Sequence, residues 1–482
     1  MNKIIRILIV LVIFVTLSPL LHLERAAAQD EAPAGPTYVV RPGDTLYDIA
    51  LRFGVTLDEL IKINKIKNAS RMNVGDELII PHLESFQGRV STVTVPYGET
   101  LRSYSRRYHV PQELLARLNH LISPGELYAG AELVGMEADI FESVDTATGA
   151  GVPRQAGRRL SLAAGQSLLE LAVLQGTDVW TLRETNALSR TMEALPGDVL
   201  RADEAAQGGP GAFPGQIEAL DLAPLPMVQG KTSVISLTAT AGITFTGELI
   251  SRTLQFFPPA DGNLIAMQGI PAQFTPGFYP LELKGRLTDG TPFGLAQMVY
   301  IKNGGYIQDL PIRIDPAGMD ENLTQAEDAQ WLALATPFTA QRMWQGLFQF
   351  PAKAVYKDCY PSTFGRRRSY NGSEYRFFHT GLDICGQVGD DVYAPAAGVV
   401  VFAGPLTVRG NATLIDHGWG VYTGYMHQSE LLVSTGERVE VGQLIGRVGR
   451  TGLRITGPHL HWEVWVAGVQ VDPMDWLTTV FP

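Results

Sequence analysis

Five of the nine histidines in this 482-residue chain lie beyond residue 378, and four of those five sit in short motifs suited to metal chemistry. "HTGLDICG" places the imidazole of His379 four residues before the carboxylate of Asp383. "GPHLHWEV" places imidazoles two residues apart at His459 and His461, and "YMHQS" adds His427. Two neutral imidazoles and one carboxylate suit Zn²⁺ in an open site, where water takes the fourth position.

The elements that position these groups are predicted to be strands. Residues 457–464 are rich in β-formers and aromatics, and a period of two puts His459, His461 and Glu463 on one face. The opposite face is apolar and is predicted to pack in a core: Leu460, Trp462 and Val464. The same period places both polar side chains of "HTGLDICG" on one face if that segment is extended.

Residues from about 362 to 474 resemble the catalytic domain of the M23 metallopeptidases, the lysostaphin or LytM type. The resemblance rests on "FGRRR", "HTGLDI", "VYAPAAGVV", "LIDHGWG", "YMHQSE", "VEVGQLIGRVGRTG" and "TGPHLHWEV". It implies one Zn²⁺ per chain bound by His379, Asp383 and His461, with His427 and His459 as catalytic histidines. It also implies a compact antiparallel β-sheet domain, placed at residues 350–480, that hydrolyses peptide bonds of bacterial peptidoglycan.

Several neighbouring residues have open interpretations. His417 in "DHG" is predicted to orient a turn rather than bind metal, because the ligand set is complete without it. The arginine run 366–368 either meets anionic wall polymer or is solvated. Asp416 is a candidate partner for an imidazole. Glu463 shares the histidine face and is a candidate base, although the resemblance assigns that role to histidine.

The chain has only two cysteines: Cys359 precedes the first motif and Cys385 lies within it. In an exported protein such a pair predicts a disulfide. The alternative is that Cys385, which has the same strand parity as Asp383, approaches the metal as a thiolate.

Three segments of the N-terminal half share one register. Gly43, Gly98 and Gly165 open similar turns, an asparagine follows each of them by 21 residues and a second glycine by 32. Each segment reads as strand, helix, helix, strand and resembles the LysM module, which binds N-acetylglucosamine-containing glycans. The copies span residues 37–81, 92–137 and 157–204; the last two have lost the leading "PGD", so they are either glycan-binding or spacers.

The N-terminus, residues 1–28, has the pattern of a secretory signal peptide: a positive start, an apolar stretch and a run of alanines before Gln29. An uncleaved membrane anchor is the alternative, because the apolar stretch is almost long enough to span a bilayer. The expected location is the cell envelope, the periplasm or the extracellular wall.

Between the repeats and the histidine-rich region, residues 205–215 form a Gly/Pro/Ala linker and 217–315 alternate short β-rich runs with turns. The latter predict an immunoglobulin-like β-sandwich that serves as a spacer. A helical pattern follows at 321–345. The predicted class is therefore multidomain and mainly β, with small α+β modules.

A formal charge of −11 disfavours nucleic acid as a partner, since it removes general attraction to phosphates. The leading hypothesis is a secreted zinc endopeptidase held at peptidoglycan by its LysM repeats, which bind glycan while the catalytic groove binds peptide. The alternative is a non-catalytic wall-bound scaffold or an activator of other wall hydrolases.

Overall fold

The computed structural model describes residues 35–68, 72–83, 88–108, 110–137, 158–188, 190–202, 209–258 and 263–482. The predicted signal segment, 1–28, lies outside the described residues. The described chain forms two compact units, one from its residues within 1–93, 118–120 and 134–148, the other from the remainder. In the part of the chain that the structure describes, no helix has the length and apolarity needed to cross a bilayer.

The first unit contains a four-stranded sheet of order β2-β1-β3-β4 and two short helices. Its elements are β1 (Thr37–Val39), α1 (Leu46–Arg52), α2 (Leu57–Ile63), β2 (Glu77–Ile79), β3 (Arg89–Thr94) and β4 (Glu132–Glu137). Thr45 caps α1, and Thr56 with Glu59 forms a capping box at the start of α2. Tyr38 and Leu60 are fully buried between sheet and helices.

The shared register of the repeats has a structural cause. Each opening and closing glycine adopts a φ between +80° and +94°, a region that favours glycine: Gly43, Gly75, Gly98, Gly130, Gly165 and Gly197. Each asparagine side chain exchanges two hydrogen bonds with the backbone of a residue 15 positions later. The pairs are Asn64 with Ile79, Asn119 with Val134, and Asn186 with Arg201.

The second unit begins with the helices of the second repeat and the elements of the third. These are α3 (Leu101–Tyr108), α4 (Gln112–Leu118), β5 (Arg159–Ser161), α5 (Leu168–Leu174), α6 (Val179–Thr185) and β6 (Val199–Arg201). β5 and β6 pair antiparallel, so the third segment has the predicted order of strand, two helices and strand.

A β-sandwich follows, with one sheet of order β11-β10-β13-β14-β8 and a second of order β12-β9-β7. Its strands are β7 (Ile217–Ala223), β8 (Met227–Val228), β9 (Thr232–Ala239), β10 (Thr244–Leu249), β11 (Arg252–Leu254), β12 (Leu264–Gly269), β13 (Gly277–Arg286) and β14 (Pro292–Lys302). Fully buried side chains such as Ile235, Leu281 and Val299 fill the space between the sheets.

The predicted helix at 321–345 is shorter in the structure. Helix α7 spans Glu321–Leu334, begins at an Asp320 cap and ends at Ala335. Pro337 explains the end, because the residue before a proline is disfavoured in the α region. The extension to residue 345 was wrong.

The C-terminal region is built on a seven-stranded sheet, in which β17-β25-β21-β20-β19-β23 are in order and β26 pairs with β25. Its strands and final helix are β15 (Arg367–Arg368), β16 (Phe377–Phe378), β17 (Leu382–Cys385), β18 (Asp391–Tyr393), β19 (Gly398–Leu406), β20 (Gly410–Gly418), β21 (Val421–Gln428), β22 (Glu430–Leu431), β23 (Arg438–Val439), β24 (Leu444–Arg447), β25 (His459–Val466), β26 (Val469–Val471) and α8 (Pro473–Thr478). All of the paired strands of this sheet run antiparallel. The predicted fold class, multidomain and mainly β with α+β modules, is confirmed.

Cys359 and Cys385 form a disulfide, as predicted, so neither sulfur is available as a metal-binding thiolate. The segment before β15 lies beside β17, since the Cys385 amide donates to the Cys359 carbonyl and the Asp383 amide to the Ser362 carbonyl. The disulfide therefore fixes the position of β17, the strand that carries Asp383.

Changing both cysteines to serine is expected to lower the free energy of unfolding by about 3 kcal/mol, the chain-entropy value for a loop of this size. Urea denaturation of the double variant and of the oxidised parent measures the difference. Superimposable denaturation curves would show that the crosslink does not stabilise the folded state.

Candidate metal centre

Two adjacent strands position the core of the site. β17 pairs antiparallel with β25, and this register sets Asp383 directly opposite His461. Leu460 and Trp462 on β25 are fully buried in the apolar core, while His459 and His461 line a cavity on the other face. The predicted alternation along this strand is therefore present.

His379 lies just before β17, where its amide donates to Arg366 and its carbonyl accepts from Gly365. These two backbone hydrogen bonds fix its position. Its imidazole, 1% exposed, reaches the same point as the side chains of Asp383 and His461.

The three predicted ligand atoms form a compact triangle. His379 Nε2 lies 2.9 Å from Asp383 Oδ1 and 3.0 Å from His461 Nδ1, and the last two atoms are 2.8 Å apart. A zinc ion about 2.0–2.1 Å from nitrogen or oxygen ligands fits above such a triangle. The donor set, two imidazoles and a carboxylate with one side open to a cavity, matches an open zinc site.

The remaining ring nitrogens of these two histidines have partners of their own. His379 Nδ1 lies 2.9 Å from the Thr363 carbonyl, to which it donates, so Nε2 carries the lone pair. His461 Nε2 lies 3.4 Å from Glu463 Oε1. This is the outer hydrogen bonding that orients metal-binding imidazoles.

His427 and His459 flank the triangle. Nδ1 of each donates to a backbone carbonyl, Thr451 at 2.8 Å and Gly457 at 2.9 Å, and His459 Nε2 lies 3.3 Å from Asp383 Oδ1. Their ring centroids are 5.3 Å apart. His427 has a φ of +63°, which is unusual for a non-glycine residue. Strained backbone conformations of this kind are common at functional sites.

The site contains two buried carboxylates, Asp383 and Glu463, and the pKa values of three of its histidines are shifted. Burial lowers the pKa of His379 to about 4 and that of His427 to about 3. Burial also disfavours the charged form of His461, but hydrogen bonds to Asp383 and Glu463 outweigh it and raise its pKa to about 9. The protonated form of His461 is therefore stabilised by two buried carboxylates, one at each ring nitrogen.

Glu463 is 1% exposed and is fully engaged rather than free to act as a base. Its Oε2 accepts hydrogen bonds from the indoles of Trp465 (2.8 Å) and Trp331 (3.2 Å), and its Oε1 from Gln470 (3.1 Å). Trp331 comes from α7, so a helix outside the predicted catalytic domain supports a ligand. The sequence gives little sign of this, since a single tryptophan in a helix is usually a core residue.

Two of the three arginines in the run 366–368 make contacts within the protein. Arg366 pairs with Asp309, and the buried Arg368 donates to Ser362 Oγ at 2.8 Å and lies 3.5 Å from Asp383 Oδ2. Asp309 lies in no recognisable motif, so the sequence alone could not identify it as the partner of Arg366.

His417 and Asp416 lie away from the triangle. His417 is buried on β20 with its nitrogens 2.8 Å from the Ala397 carbonyl and 2.7 Å from Thr423 Oγ1. Asp416 accepts from Thr339 and the Gly418 amide, not from an imidazole. His417 thus has a structural role, in a strand rather than in the predicted turn.

All five predicted site residues open onto one cavity of about 540 Å³. Its walls come from the C-terminal sheet, from helix α7 through Asp328 and Leu332, and from the sandwich through Arg252 and residues 271–273.

Comparison with known proteins places families on three parts of the chain. Residues 377–473 match the model of peptidase family M23, and residues 38–81 and 93–134 match the LysM domain. The chain therefore carries an M23 peptidase domain and, at the first two of its three predicted repeats, LysM domains.

Three curated relatives match the C-terminal region. Peptidoglycan DD-endopeptidase ShyA of Vibrio cholerae is 41% identical over 113 residues, which cover 23% of this chain and 26% of that protein. DD-carboxypeptidase/endopeptidase Mpg of Neisseria meningitidis is 45% identical over 96 residues, 20% of this chain and 22% of the relative. A lipoprotein NlpD/LppB homolog of Pseudomonas aeruginosa is 39% identical over 113 residues, 23% and 36% of the two chains. The chain thus spans about a quarter to a third of the length of these relatives.

Proposed function

We propose that this chain, with its two LysM domains and its M23 peptidase domain, is an exported zinc endopeptidase that hydrolyses peptide bonds of bacterial peptidoglycan. The observation that carries the proposal is the triangle of His379, Asp383 and His461, open to a cavity and flanked by His427 and His459. The names of the relatives, two of them DD-endopeptidases, support this substrate class.

In this proposal His379 Nε2, Asp383 Oδ1 and His461 Nδ1 hold the ion. When bound, zinc supplies Lewis acidity toward water and toward a peptide carbonyl. The protein orients the ligands through the hydrogen bonds of Thr363 and Glu463 and leaves the cavity side open for substrate.

His427 and His459 handle protons and charge at the open side. Because each donates through Nδ1 to a carbonyl, each presents Nε2 toward the cavity. Burial keeps His427 neutral at pH 7, so its Nε2 can accept a proton. One histidine would act as general base by accepting a proton at Nε2, and the N–H that this creates, or the second histidine once protonated at Nε2, would donate to the developing oxyanion.

Digestion of purified insoluble peptidoglycan tests the activity. An endopeptidase releases soluble peptide-bearing glycan strands and creates new amino groups without new reducing sugar ends. Mass spectrometry of the products, after digestion of their glycan with a muramidase, then identifies the bond. A scaffold or activator, the alternative, would bind the same material and release nothing.

The LysM domains account for targeting in this proposal, by binding the glycan strands while the cavity binds peptide. The protein would then act in the cell envelope, and the signal-like segment at 1–28 would direct its export. The third strand-helix-helix-strand segment remains a candidate third glycan-binding module.

Removing residues 37–81 is expected to weaken co-sedimentation with insoluble peptidoglycan, because this copy keeps the complete sequence pattern of the module. Cleavage of a small soluble peptide, which needs no glycan contact, should be unchanged and controls for folding of the catalytic region. Undiminished sedimentation of the truncated protein would place the wall affinity elsewhere.

A further inference from the structure

Several arginines line the cavity although the chain is acidic. Five arginines line it but only three carboxylates do: Arg252, Arg368, Arg376, Arg409 and Arg454, against Asp328, Asp383 and Glu463. An arginine on this wall that has no carboxylate partner in the protein would suit a ligand with negative charge.

Three of the arginines are neutralised by the protein. Arg368 contacts Asp309 and Asp383, Arg376 pairs with Glu321, and Arg409 pairs with Glu327 and Asp328. The exposed Arg252 makes one long hydrogen bond, 3.5 Å, to a carbonyl. Arg252 and Arg454 are therefore the two cavity arginines without an ion pair among the residues that the structure describes.

Arg454 is held in place but has no counter-ion. Its Nε donates to the Gly318 carbonyl at 3.0 Å and its Nη2 lies 3.4 Å from Thr324 Oγ1. Its guanidinium carbon lies 5.4 Å from the ring centroids of both Tyr370 and Phe377. Among the residues that the structure describes, no carboxylate lies within ion-pair distance of it, and half-buried charges of this kind are normally paired.

The free side of Arg454 faces the cavity. Its Nη1 has no hydrogen-bond partner among the described residues, yet it is not among the fully buried unpartnered atoms. Contacts also link Arg454 to the metal centre. The Tyr370 ring lies next to its guanidinium, the Tyr370 hydroxyl accepts a hydrogen bond from Arg368 at 3.2 Å, and Arg368 contacts the ligand Asp383. A preorganised guanidinium with a free edge suits a carboxylate, which it can bind through two N–H groups.

We propose that Arg454 is a specificity-determining residue that binds a free carboxylate of the wall peptide beside the scissile bond. This inference rests on the proposed function. Wall peptides carry such carboxylates wherever a residue is joined through its side chain, as in γ-linked glutamate or a diamino dicarboxylic acid, and amidation removes the charge. The cavity then favours acidic cross-link peptides over amidated ones or over uncharged glycine bridges.

Two soluble cross-linked muropeptides that differ only in free carboxylates or carboxamides test the proposal. We expect the parent protein to cleave the free-acid form with a kcat/KM at least about 10-fold higher, as a charge-assisted hydrogen bond predicts. Arg454→Gln should lower kcat/KM for the free acid about 10- to 100-fold and leave the amide unchanged. Arg454→Lys, which keeps the charge, should retain part of the preference.

Arg342→Gln is the matched control. Arg342 also lies over two aromatic rings, Trp344 at 5.7 Å and Trp419 at 5.3 Å, but it does not line the cavity. Its change should leave the preference intact.

Equal cleavage of both peptides by the parent protein would overturn the proposal without needing any variant. An equal fall on both peptides in Arg454→Gln would also overturn it, since that is the result of a purely structural arginine. If the parent protein solubilises peptidoglycan but shows no preference, only the carboxylate site fails. If it cleaves neither peptide and no peptidoglycan, the proposed function fails with it.

Discussion

Replacing His461 with alanine is expected to yield a protein without bound zinc and without detectable hydrolysis of peptidoglycan. The change leaves only His379 and Asp383 as protein ligands, and two ligands do not complete the open site. It also removes the imidazole that lies between the buried carboxylates of Asp383 and Glu463, so a fall in the free energy of unfolding should accompany the loss of metal.

His459→Ala and His427→Ala are expected to behave differently from His461→Ala. Neither imidazole is needed to complete the triangle of ligand atoms, although His459 is only two residues away along β25. Both variants should keep their zinc and lose about 10² to 10⁴-fold in turnover, the usual effect of removing a general acid or base.

Zinc content and turnover, measured on the three variants side by side, separate ligands from catalytic groups. His82→Ala, at an exposed histidine of the first unit, should change neither quantity and serves as a control. A metal-free His459→Ala protein beside a zinc-loaded His461→Ala protein would reverse the assignment.

The second large effect is expected at Trp331, on helix α7. Trp331→Ala should lower the free energy of unfolding by about 3–5 kcal/mol, because it removes a fully buried ring packed against Met426 and Trp465. Trp331→Phe keeps most of the packing but removes the indole N–H that donates to Glu463. Since Glu463 in turn orients His461, this variant should bind zinc about 10- to 100-fold more weakly.

Trp344→Phe is the matched control for Trp331→Phe. Trp344 is also buried in the apolar core, but its indole N–H has no partner among the described residues and it does not line the cavity. Zinc affinity measured by competition with a chelating dye should fall for Trp331→Phe and stay unchanged for Trp344→Phe. Equal affinities in the two variants would show that α7 supports the fold but not the metal site.

The parts of the fold that follow from local patterns could be predicted from the sequence. The two-residue alternation in this strand correctly predicted that His459 and His461 share one face, because the alternate residues Leu460 and Trp462 have to be buried on the other. The repeats were visible since each needs glycine at positive φ and an asparagine that closes the module.

The parts that depend on distant contacts could not be predicted. Trp331, Asp309 and Arg454 acquire their roles by packing against segments far away in sequence, and none of them lies in a recognisable motif with its partner. Helical periodicity alone extends α7 to residue 345, whereas Pro337 ends the helix near Ala335.

Removal and restoration of metal tests most directly whether this protein is a zinc-dependent peptidoglycan peptidase. The full-length protein is dialysed against a chelator, its metal content is measured, and release of soluble peptide from dye-labelled peptidoglycan is followed before and after addition of one equivalent of zinc. We expect about one zinc per chain at the start, no release after chelation, and recovery of release on zinc addition but not in His461→Ala. Undiminished release by the metal-free protein would contradict the assignment of the His379, Asp383 and His461 cluster as the catalytic centre.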